Sequence, residues 1–336
     1  MKVVILGLGT VGRALLKELQ ARGPELRSRY GLNLKVVGVA DSKVAVYNEN
    51  GLDVGRILRM KSAGSLEDHP DRSSLKELIS GEADVLVELT PTNIKDGMPA
   101  VRYIREALSS GKHVITANKG PLAVEMPALM ELAEYNGVYF LFSGAVGGGT
   151  PFIRFVSRCL LGEKVLKIRG IVNGTTNFIL SRMEEGLGFD EALREAQRLG
   201  YAEADPSADV DGWDSAAKLV ILSNVAFQSG ITIRDVDVKG IRGIGLEDVR
   251  EALRSGETYK LIAYADGEEH SVRPERISLK SPLNVKGALN ALQVEVEMSG
   301  RHTLVGKGAG GKETAAAVMR DLVELKLKLA GDEKCL

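Results

Sequence analysis

A concentrated run of acidic side chains lies between residues 199 and 218 of this 336-residue sequence, in the stretch LGYAEADPSADVDGWDSAAK. Its acids lead into an almost wholly apolar helix pattern that carries Lys218. Acids near a helix start can serve only to complement the helix dipole, and Asp214 with Lys218, one helical turn later, can be only a surface ion pair. A functional role is favoured, because a lysine on so apolar a helix needs a partner or a task such as proton transfer.

A glycine-rich segment near the start of the chain has the form of a dinucleotide-binding loop. Gly7, Gly9 and Gly12, with Thr10 and Val11 between them, form a GxGxxG directly after an apolar run and at the start of a helix pattern. The first glycine allows a tight turn, the second lets the backbone approach a pyrophosphate, and the third lets helix pack on strand. The helix start adds unpaired N–H groups and a positive dipole end. In this context the motif predicts a nucleotide site, with a ligand-free tight turn as the alternative.

The residues after the second apolar run leave the choice between NAD and NADP open. Asp41 is suited to hydrogen bonds with both ribose hydroxyls and so to NAD, whereas Ser42 and Lys43 suit a 2′-phosphate and so NADP. Asp41 lies 29 residues beyond Gly12, later than the usual spacing of about 20, because a predicted loop over residues 23–33 intervenes. The alternative for Asp41 is a plain turn residue.

Two further segments have the composition of ligand-facing loops. Thr116–Lys119 follows an apolar run, so Lys119 is expected at the carboxyl edge of a sheet, where ligands bind in such folds. A solvated loop lysine is the alternative. Gly147–Thr150 precedes Pro151 at a helix start. This glycine run predicts either a hinge between domains or a loop that presents backbone groups to a ligand or an ion.

Metal and thiol chemistry are not indicated by the sequence. The four histidines have no ligand-like spacing, and there is no CxxC. Cys159 falls among apolar residues of a helix pattern and is expected in the core. Cys335, next to the chain end, is expected to be exposed, and an intermolecular disulfide there is a hypothesis. Two cysteines so far apart suit a reducing compartment.

Composition excludes several classes of protein. Lys and Arg number 44 against 45 Asp and Glu, so the net charge of −1 supplies no basic field for nucleic acid or an anionic membrane. At 44% hydrophobic and 26% charged, the chain is an ordinary globular protein, and no apolar segment is long enough for a signal peptide or a membrane span. We therefore expect a cytoplasmic protein.

The 38 glycines exceed average usage, and eleven of them fall in three clusters, at residues 7–12, 144–149 and 306–311.

Apolar runs alternate with helical patterns through the first third of the chain. Continuous apolar strands separated by helices predict a Rossmann-type doubly wound parallel sheet, because both faces of such a sheet must be covered. The sequence therefore predicts an α/β dinucleotide-binding domain over residues 1–142. The predicted strands are Val3–Leu6, Leu34–Ala40, Asp84–Leu89, His113–Ala117 and Val138–Phe142, and the predicted helices are Val11–Arg22, Val54–Lys61, Ser73–Ile79, Met98–Ser110 and Leu122–Asn136.

After Gly149 the pattern changes to a helix, a strand, a run of helices through Phe227 and three later strand candidates. This order predicts an α+β domain with a mostly antiparallel sheet over residues 143–305. A last helix, Glu313–Leu329, has an apolar stripe of Leu322, Leu325 and Leu329 and is expected to pack back on the first domain, which residues 306–330 would complete. The predicted strands are Val165–Val172, Lys260–Tyr264, Val272–Leu279 and Gln293–Met298, and the first helix is Pro151–Leu161.

Taken together, these segments resemble homoserine dehydrogenases over essentially the whole chain. The acidic block is the most specific of the shared motifs, and several ordered motifs at family-like spacing are far stronger than any one alone. The motifs are GLGTVG at Gly7–Gly12, TANK at Thr116–Lys119, GAVGGGTP at Gly144–Pro151, GIVNGTTNFIL at Gly170–Leu180, the block at Leu199–Lys218 and GKGAGGKETA at Gly306–Ala315.

The resemblance implies a reversible, NAD(P)-dependent interconversion of L-aspartate 4-semialdehyde and L-homoserine, a step toward threonine and methionine. Lys218 would give the proton to the aldehyde oxygen as hydride arrives from the nicotinamide, and Lys119 would be a second candidate for acid–base or electrostatic work. Glu203 and Asp214 would hold the amino end of the substrate. A homodimer is implied as well, with residues 143–305 as the substrate and dimerisation domain. By the same resemblance, Gly174 and Thr175 would lie close to the substrate, and Thr10, Val11, Thr90, Gly200 and Gly310 would contact the cofactor.

One position departs from the family pattern. The family often has a Glu where Ser143 stands, and that carboxylate contributes to a monovalent cation site with backbone oxygens of the glycine-rich loop. A sodium site on the backbone of Val146, Gly148 and Thr150 is therefore an expectation that lacks its carboxylate. Members regulated through an appended effector-binding domain carry more sequence, so feedback by that route is not expected.

Two alternatives are disfavoured by particular residues. A non-catalytic dinucleotide-sensing protein has no need of the set Lys119, Glu203, Asp214 and Lys218. Aspartate-semialdehyde dehydrogenase needs a cysteine nucleophile in an active-site loop, whereas Cys159 falls in a helix pattern.

Overall fold

The first unit of the structure is built on a sheet in which five of the seven strands coincide with apolar runs predicted as strands, while β3 and β4 were not predicted. The computed structural model describes residues 1–331, and this unit comprises Met1–Ala145 together with the described residues from Gly310 onward. Its strands are β1 (Lys2–Leu6), β2 (Lys35–Ala40), β3 (Ala45–Tyr47), β4 (Arg72–Ser73), β5 (Val85–Glu88), β6 (His113–Thr116) and β7 (Phe140–Leu141). They lie in the order β4-β3-β2-β1-β5-β6-β7, parallel from β2 to β7, with β3 and β4 added antiparallel at one edge.

Burial of consecutive strand residues shows that both faces of this sheet are covered. Val3 and Val4 point to opposite faces, and neither is more than 1% exposed. The doubly wound parallel sheet predicted from the sequence is therefore confirmed. The helices in this part of the chain are α1 (Thr10–Tyr30), α2 (Val54–Ser62), α3 (Leu75–Ser80), α4 (Ala100–Ser109) and α5 (Lys119–Tyr135).

The first helix corrects one prediction. A loop was expected over residues 23–33, but α1 continues through Pro24 to Tyr30 and ends at Gly31, whose φ is +61°. Proline removes one backbone donor and disfavours a helix interior. Burial of Leu26 together with the earlier apolar stripe of α1 offsets that cost, because Leu26 joins the same core as Leu15.

The second unit, Val146–Ala309, contains a six-stranded and mostly antiparallel sheet, as predicted. Its strands are β8 (Val165–Ile171), β9 (Asp237–Val238), β10 (Glu257–Ala265), β11 (His270–Ser278), β12 (Leu289–Val296) and β13 (Gly300–Lys307). The order is β13-β12-β8-β10-β11-β9, and only the short β9 pairs parallel to its neighbour β11. β13 was not predicted, because an edge strand with no buried residue has no apolar run.

The helices of this unit include one short π-helical segment that corrects another prediction. Phe155–Cys159 continues the first helix with wider turns, so Val156 and Leu160 face the core while Cys159 is exposed rather than buried. The α-helices are α6 (Phe152–Arg154), α7 (Gly174–Glu184), α8 (Phe189–Arg198), α9 (Ser207–Val210), α10 (Trp213–Phe227) and α11 (Leu246–Arg254).

The last helix, α12 (Gly311–Leu329), belongs to the first unit. Leu322 and Leu325 are fully buried in the core that α1 also lines, but Leu329, at the helix end, is half exposed and does not extend the stripe. Within residues 1–331 no helix combines the length and the apolar character that a bilayer crossing needs. Cys335 lies outside the described residues.

Candidate active site

The glycine-rich loop joins β1 to α1, and its three glycines meet different surroundings. A Cβ on Gly7, whose φ is +99°, would lie 2.3 Å from the Leu89 carbonyl oxygen, and one on Gly12 would lie 2.1 Å from the Gly7 oxygen. Among residues 1–331, and leaving its two chain neighbours aside, no heavy atom lies within 4 Å of the Cβ position of Gly9, which precedes α1 and gives it no side-chain cap. Gly7 and Gly12 are thus required by packing, whereas Gly9 leaves a backbone open to an outside group at a helix start.

Thr10 and Val11 begin α1, and the start of α12 lies beside them. A Cβ on Gly311 would come within 2.5 Å of the Thr10 methyl carbon, so the preceding Gly310, with φ +131°, is close to the glycine-rich loop. Two motifs about 300 residues apart in sequence are therefore neighbours within the first unit. Both were predicted to contact the cofactor, and their backbones meet at the start of α1.

Asp41 directly follows β2 and is already engaged through both carboxylate oxygens. Oδ1 accepts hydrogen bonds of 2.8 Å from the backbone N–H groups of Lys43 and Val44, and Oδ2 forms an ion pair with Lys61 of α2. Burial raises the pKa of Asp41, but Lys61 and the two N–H groups outweigh it and hold the pKa below its usual range. The side chains of Ser42 and Lys43 are exposed. The Asp41 carboxylate is thus an anion at the end of β2. Its hydrogen bonds within the turn are compatible with the contact to the cofactor ribose that is expected of it.

Thr90 and Lys119 follow β5 and β6, the next two strands of the sheet. Lys119 is the first residue of α5, and Asn118 caps that helix by accepting a hydrogen bond from the Gly120 N–H. Thr90 donates a hydrogen bond to the carboxylate of Glu88, the last residue of β5. Glu88 was not among the predicted residues; the only sequence signal for it is a carboxylate that ends an otherwise apolar run.

In the second unit, Lys218 is held by groups from two different elements. It lies on the buried α10, where its Nζ is 2.6 Å from Oδ2 of Asp214 and donates a 2.7 Å hydrogen bond to the Val172 carbonyl. The residue is 7% exposed. An ammonium has three N–H donors, and within residues 1–331 no third acceptor lies in range of this one. The unused donor can serve a substrate oxygen.

Asn173, which precedes α7, connects Asp214 to a further acid. Its Nδ2 donates to Oδ2 of Asp214 over 2.8 Å and to Oδ1 of Asp209 over 2.6 Å, while its Oδ1 accepts from the Thr176 N–H. Asn173 and Asp209 were missed as site residues, although both lie inside motifs that the sequence singles out. The two carboxylates and Lys218 therefore form one hydrogen-bonded group.

The other residues predicted to bind the substrate are Thr175, Gly174 and Glu203, and they differ in their contacts. Thr175 donates a 2.6 Å hydrogen bond to the carbonyl of Tyr201, which brings the start of α7 next to Gly200. Gly174 lies against the chain at Ala288, whose oxygen would be 2.7 Å from an added Cβ. Glu203 is exposed, and its carboxylate has no hydrogen-bond or ion-pair partner among residues 1–331. It is not joined to Asp214.

The loop expected to hold a cation offers backbone groups only. Thr150 donates its hydroxyl to the Lys307 carbonyl, and Gly148 packs so closely on Gly308 that an added Cβ would lie 2.9 Å from it. The N–H of Ser143 donates to Oδ2 of Asp321. Across residues 1–331 no three His, Cys, Asp or Glu side chains gather as metal ligands. The loop thus supplies no charged ligand for a sodium ion at Val146, Gly148 and Thr150.

Two family models match successive stretches of the chain. The family described as "Homoserine dehydrogenase" matches residues 151–323, and "Homoserine dehydrogenase, NAD binding domain" matches residues 7–143. A homoserine dehydrogenase of Methanocaldococcus jannaschii is 42% identical over 97% of this chain and 98% of its own length. An NAD(+)-dependent homoserine dehydrogenase of Pseudomonas canavaninivorans is 41% identical over 96% of both chains.

Solved structures give the same result. The crystal structure of a putative homoserine dehydrogenase from Archaeoglobus fulgidus superposes with a TM-score of 0.90 and 40% identity, over 97% of this chain and 99% of that one. The resemblance predicted from the motifs is confirmed, and so is the use of NAD(P). The chain belongs to the homoserine dehydrogenase family of NAD(P)-dependent oxidoreductases acting on a hydroxyl group.

Proposed function

We propose that the enzyme interconverts L-homoserine and L-aspartate 4-semialdehyde, with Lys218 as the residue that exchanges the proton with the substrate oxygen. The observation that carries this proposal is the placement of Lys218, whose ammonium is fixed by Asp214 and Val172 on a buried helix and keeps one N–H donor unused. Reduction of the aldehyde of this small-molecule substrate adds a hydride to the carbonyl carbon and a proton to its oxygen, and the unused N–H of the Lys218 ammonium is the proposed proton donor. Oxidation of homoserine is the reverse step, in which the neutral amine of Lys218 takes the hydroxyl proton as the hydride leaves.

The first unit has the features that an NAD(P) molecule requires. Gly9 leaves backbone open at the start of α1, which suits a pyrophosphate, and Asp41 stands at the end of β2, where it suits ribose hydroxyls. When bound, the nicotinamide supplies the hydride acceptor or donor. The residues proposed to hold the cofactor are Gly7, Gly9, Thr10, Val11, Gly12, Asp41, Ser42, Lys43, Thr90, Lys119, Gly200 and Gly310.

Asp214 is proposed to have two tasks. Its carboxylate orients the ammonium of Lys218 through the ion pair, and it contributes negative charge to the region that receives the substrate's amino group. Glu203 is exposed and unpaired among residues 1–331, so it can bind that ammonium group without losing another partner. Gly174 and Thr175 would line the same region, since Thr175 fixes the chain at Tyr201. Lys119 is proposed as the second electrostatic or acid–base group.

A monovalent cation on the backbone oxygens of Val146, Gly148 and Thr150 is part of the proposal as a bound ion, and no proton or hydride step is assigned to it.

A homodimer is proposed through the second unit. Its edge strand β13 has no buried residue, and Val305 on it is about half exposed. An edge strand of this kind can be covered by a second copy.

Absorbance at the NAD(P)H band tests the proposed reaction. L-Homoserine with NAD or NADP is expected to give reduced nicotinamide, and L-serine, one methylene shorter, is expected to give far less. Absence of turnover with both cofactors would overturn the proposal. Nucleotide binding by calorimetry without turnover would instead favour the non-catalytic dinucleotide sensor.

A further inference from the structure

A buried carboxylate in the first unit has no place in the mechanism proposed above. Glu88 ends β5 and is 0% exposed, while the three residues before it on the strand are apolar and equally buried. Burying an ionisable group costs far more than burying a hydrocarbon of similar size, so an apolar residue would serve the core better. The contacts of this carboxylate indicate what is gained in return.

Both oxygens of Glu88 accept hydrogen bonds, and they hold different loops. Oε1 accepts from the backbone N–H of Thr90 over 2.7 Å and from the Thr90 hydroxyl. Oε2 accepts from the hydroxyl of Thr116 over 2.8 Å. Thr90 follows β5 and Thr116 ends β6, so one side chain joins the ends of two adjacent strands. A carboxylate is suited to this task because it only accepts.

The connection continues from Thr116 to the first residue of α5. The Thr116 hydroxyl oxygen accepts a 3.0 Å hydrogen bond from the N–H of Asn118, which caps α5 just before Lys119. The Asn118 side chain returns to the other loop, since its Nδ2 donates to the Pro91 carbonyl over 3.3 Å. The two loops are therefore joined at both ends of a small hydrogen-bonded ring.

The glycine-rich loop rests on the same structure. Gly7 lies so close to the backbone at Leu89 and Thr90 that a Cβ on it would be 2.9 Å from the Thr90 nitrogen. That nitrogen is the one that donates to Glu88. A displacement of Thr90 would therefore move the surface against which Gly7 packs.

We propose that Glu88 is a positioning residue, which fixes Thr90 directly and Lys119 through Thr116 and Asn118. The inference rests on the roles proposed for Thr90 and Lys119. Burial raises the pKa of Glu88, although its hydrogen bonds oppose that rise. In such a buried site the carboxyl oxygens must find all their hydrogen-bond donors among neighbouring protein groups.

Two substitutions of Glu88 separate positioning from packing. Glu88→Leu fills the space without accepting a hydrogen bond and is expected to weaken NAD(P) binding and to lower kcat, each about 10- to 100-fold. Glu88→Gln is expected to restore both to within about 3-fold, because its oxygen still accepts from Thr90 and its amide donates to Thr116. The Thr116 hydroxyl can then donate to the Glu88 carbonyl, 3.1 Å away.

Two further variants supply the controls. Val85→Ala removes buried packing from the other end of the same strand and is expected to lower Tm while nucleotide Kd and kcat stay near those of the wild type. Thr116→Val removes the hydroxyl that joins Glu88 to the Asn118 N–H and so cuts the connection toward α5. It is expected to lower kcat more than it raises the nucleotide Kd, since Thr90 stays bound to Glu88. This variant carries the test if Glu88→Leu does not fold.

The readouts distinguish this inference from the proposed function. Nucleotide Kd, measured by calorimetry on the full chain, requires no substrate, so a wild-type enzyme inactive on homoserine would overturn the proposed reaction and leave the Glu88 comparison intact. Wild-type Kd and kcat in Glu88→Leu would overturn the positioning role. Equal losses of nucleotide affinity and kcat in Val85→Ala and Glu88→Leu would also overturn the positioning role, because they would show that lowered stability alone causes the losses.

Discussion

Asp214 and Lys218 lie one helical turn apart on α10, and their charged ends meet at 2.6 Å in a largely buried setting. Asn173 donates to the same carboxylate oxygen, and Val172 accepts from the same ammonium. The pair is therefore fixed by the two residues that precede α7 as well as by its own helix. Because Lys218 cannot swing to solvent without losing these partners, its remaining N–H has a defined direction.

Removing the charge of Asp214 is expected to disable this arrangement. Asp214→Asn preserves size but leaves the ammonium of Lys218 without an anionic partner, so kcat/KM for homoserine is expected to fall about 10- to 1,000-fold. Asp211→Asn is the matched control, because Asp211 pairs with Arg242 in a more exposed setting. Steady-state rates within about 3-fold of the wild type for Asp214→Asn would contradict the role given to it.

The glycine-rich loop allows binding to be separated from folding. Gly9→Ala introduces a methyl group into open space and is expected to leave Tm nearly unchanged while NAD(P) binds at least about 10-fold more weakly, because the pyrophosphate loses its close approach. Gly12→Ala would place its Cβ 2.1 Å from the Gly7 oxygen and is expected to lower Tm. Calorimetric titration and thermal unfolding measure the two effects. Unchanged affinity in Gly9→Ala would mean that the cofactor does not approach this backbone.

Asp41 is expected to favour NAD over NADP, since a carboxylate repels a 2′-phosphate. Asp41→Ser also releases Lys61 from its ion pair. The ratio of kcat/KM with NADP to that with NAD is therefore expected to rise about 10-fold or more, which corresponds to about 1.4 kcal/mol. Asp68→Ser, which removes an exposed carboxylate of the same unit, is the control, with little expected change. A ratio unaffected by Asp41→Ser would reduce Asp41 to a turn residue.

The stability of the second unit is expected to depend on pH through Glu184, which accepts from Lys260 over 3.0 Å, from Thr258 over 2.7 Å and from Lys286. Burial raises the pKa of Glu184, but these partners outweigh it and hold the pKa below its ordinary value of 4.5. A carboxyl with a lowered folded-state pKa stabilises the fold above its unfolded pKa, and this stabilisation is lost as the pH falls through the folded-state value.

Glu184→Gln is accordingly expected to destabilise the protein at neutral pH by about 3 kcal/mol, because Lys260 would be left buried without its anion. The difference from the wild type should shrink below about pH 4.5, where the wild-type carboxyl also begins to lose its charge. Thermal unfolding across that range measures it. Glu247→Gln, in an exposed pair with Arg250, should behave like the wild type. A difference independent of pH would contradict the assignment.

The sheet of the first unit could be predicted because its signals are local. Each buried strand is a short apolar run, and the GxGxxG marks the turn from β1 to α1. The extension of α1 through Pro24 could not be predicted, since it depends on Leu26 reaching a core that α12 also lines. β13 could not be predicted because it is an exposed edge strand, and such a strand needs no apolar pattern.

The residues of the candidate site also differ in whether their contacts could be predicted from the sequence. Asp214 and Lys218 could be paired from sequence, because residues four apart share a helix face. Asn173, Lys61 and Glu88 could not be assigned to their partners, since each contact depends on how distant strands and helices come together. For Glu88, the carboxylate at the end of an apolar run is visible in the sequence. Its hydrogen-bond partner Thr116, at the end of β6, is 28 residues away and could not be assigned.

The most direct test of the account is the turnover of homoserine by Lys218→Ala beside the wild type. The wild type is expected to reduce NAD or NADP with L-homoserine, and the variant is expected to bind the nucleotide normally while kcat falls about 10²- to 10⁴-fold. Lys164→Ala, which removes an exposed lysine of the same unit, should keep the wild-type rate. A near-native kcat in Lys218→Ala would contradict the account and would move the proton transfer to Lys119 or to water.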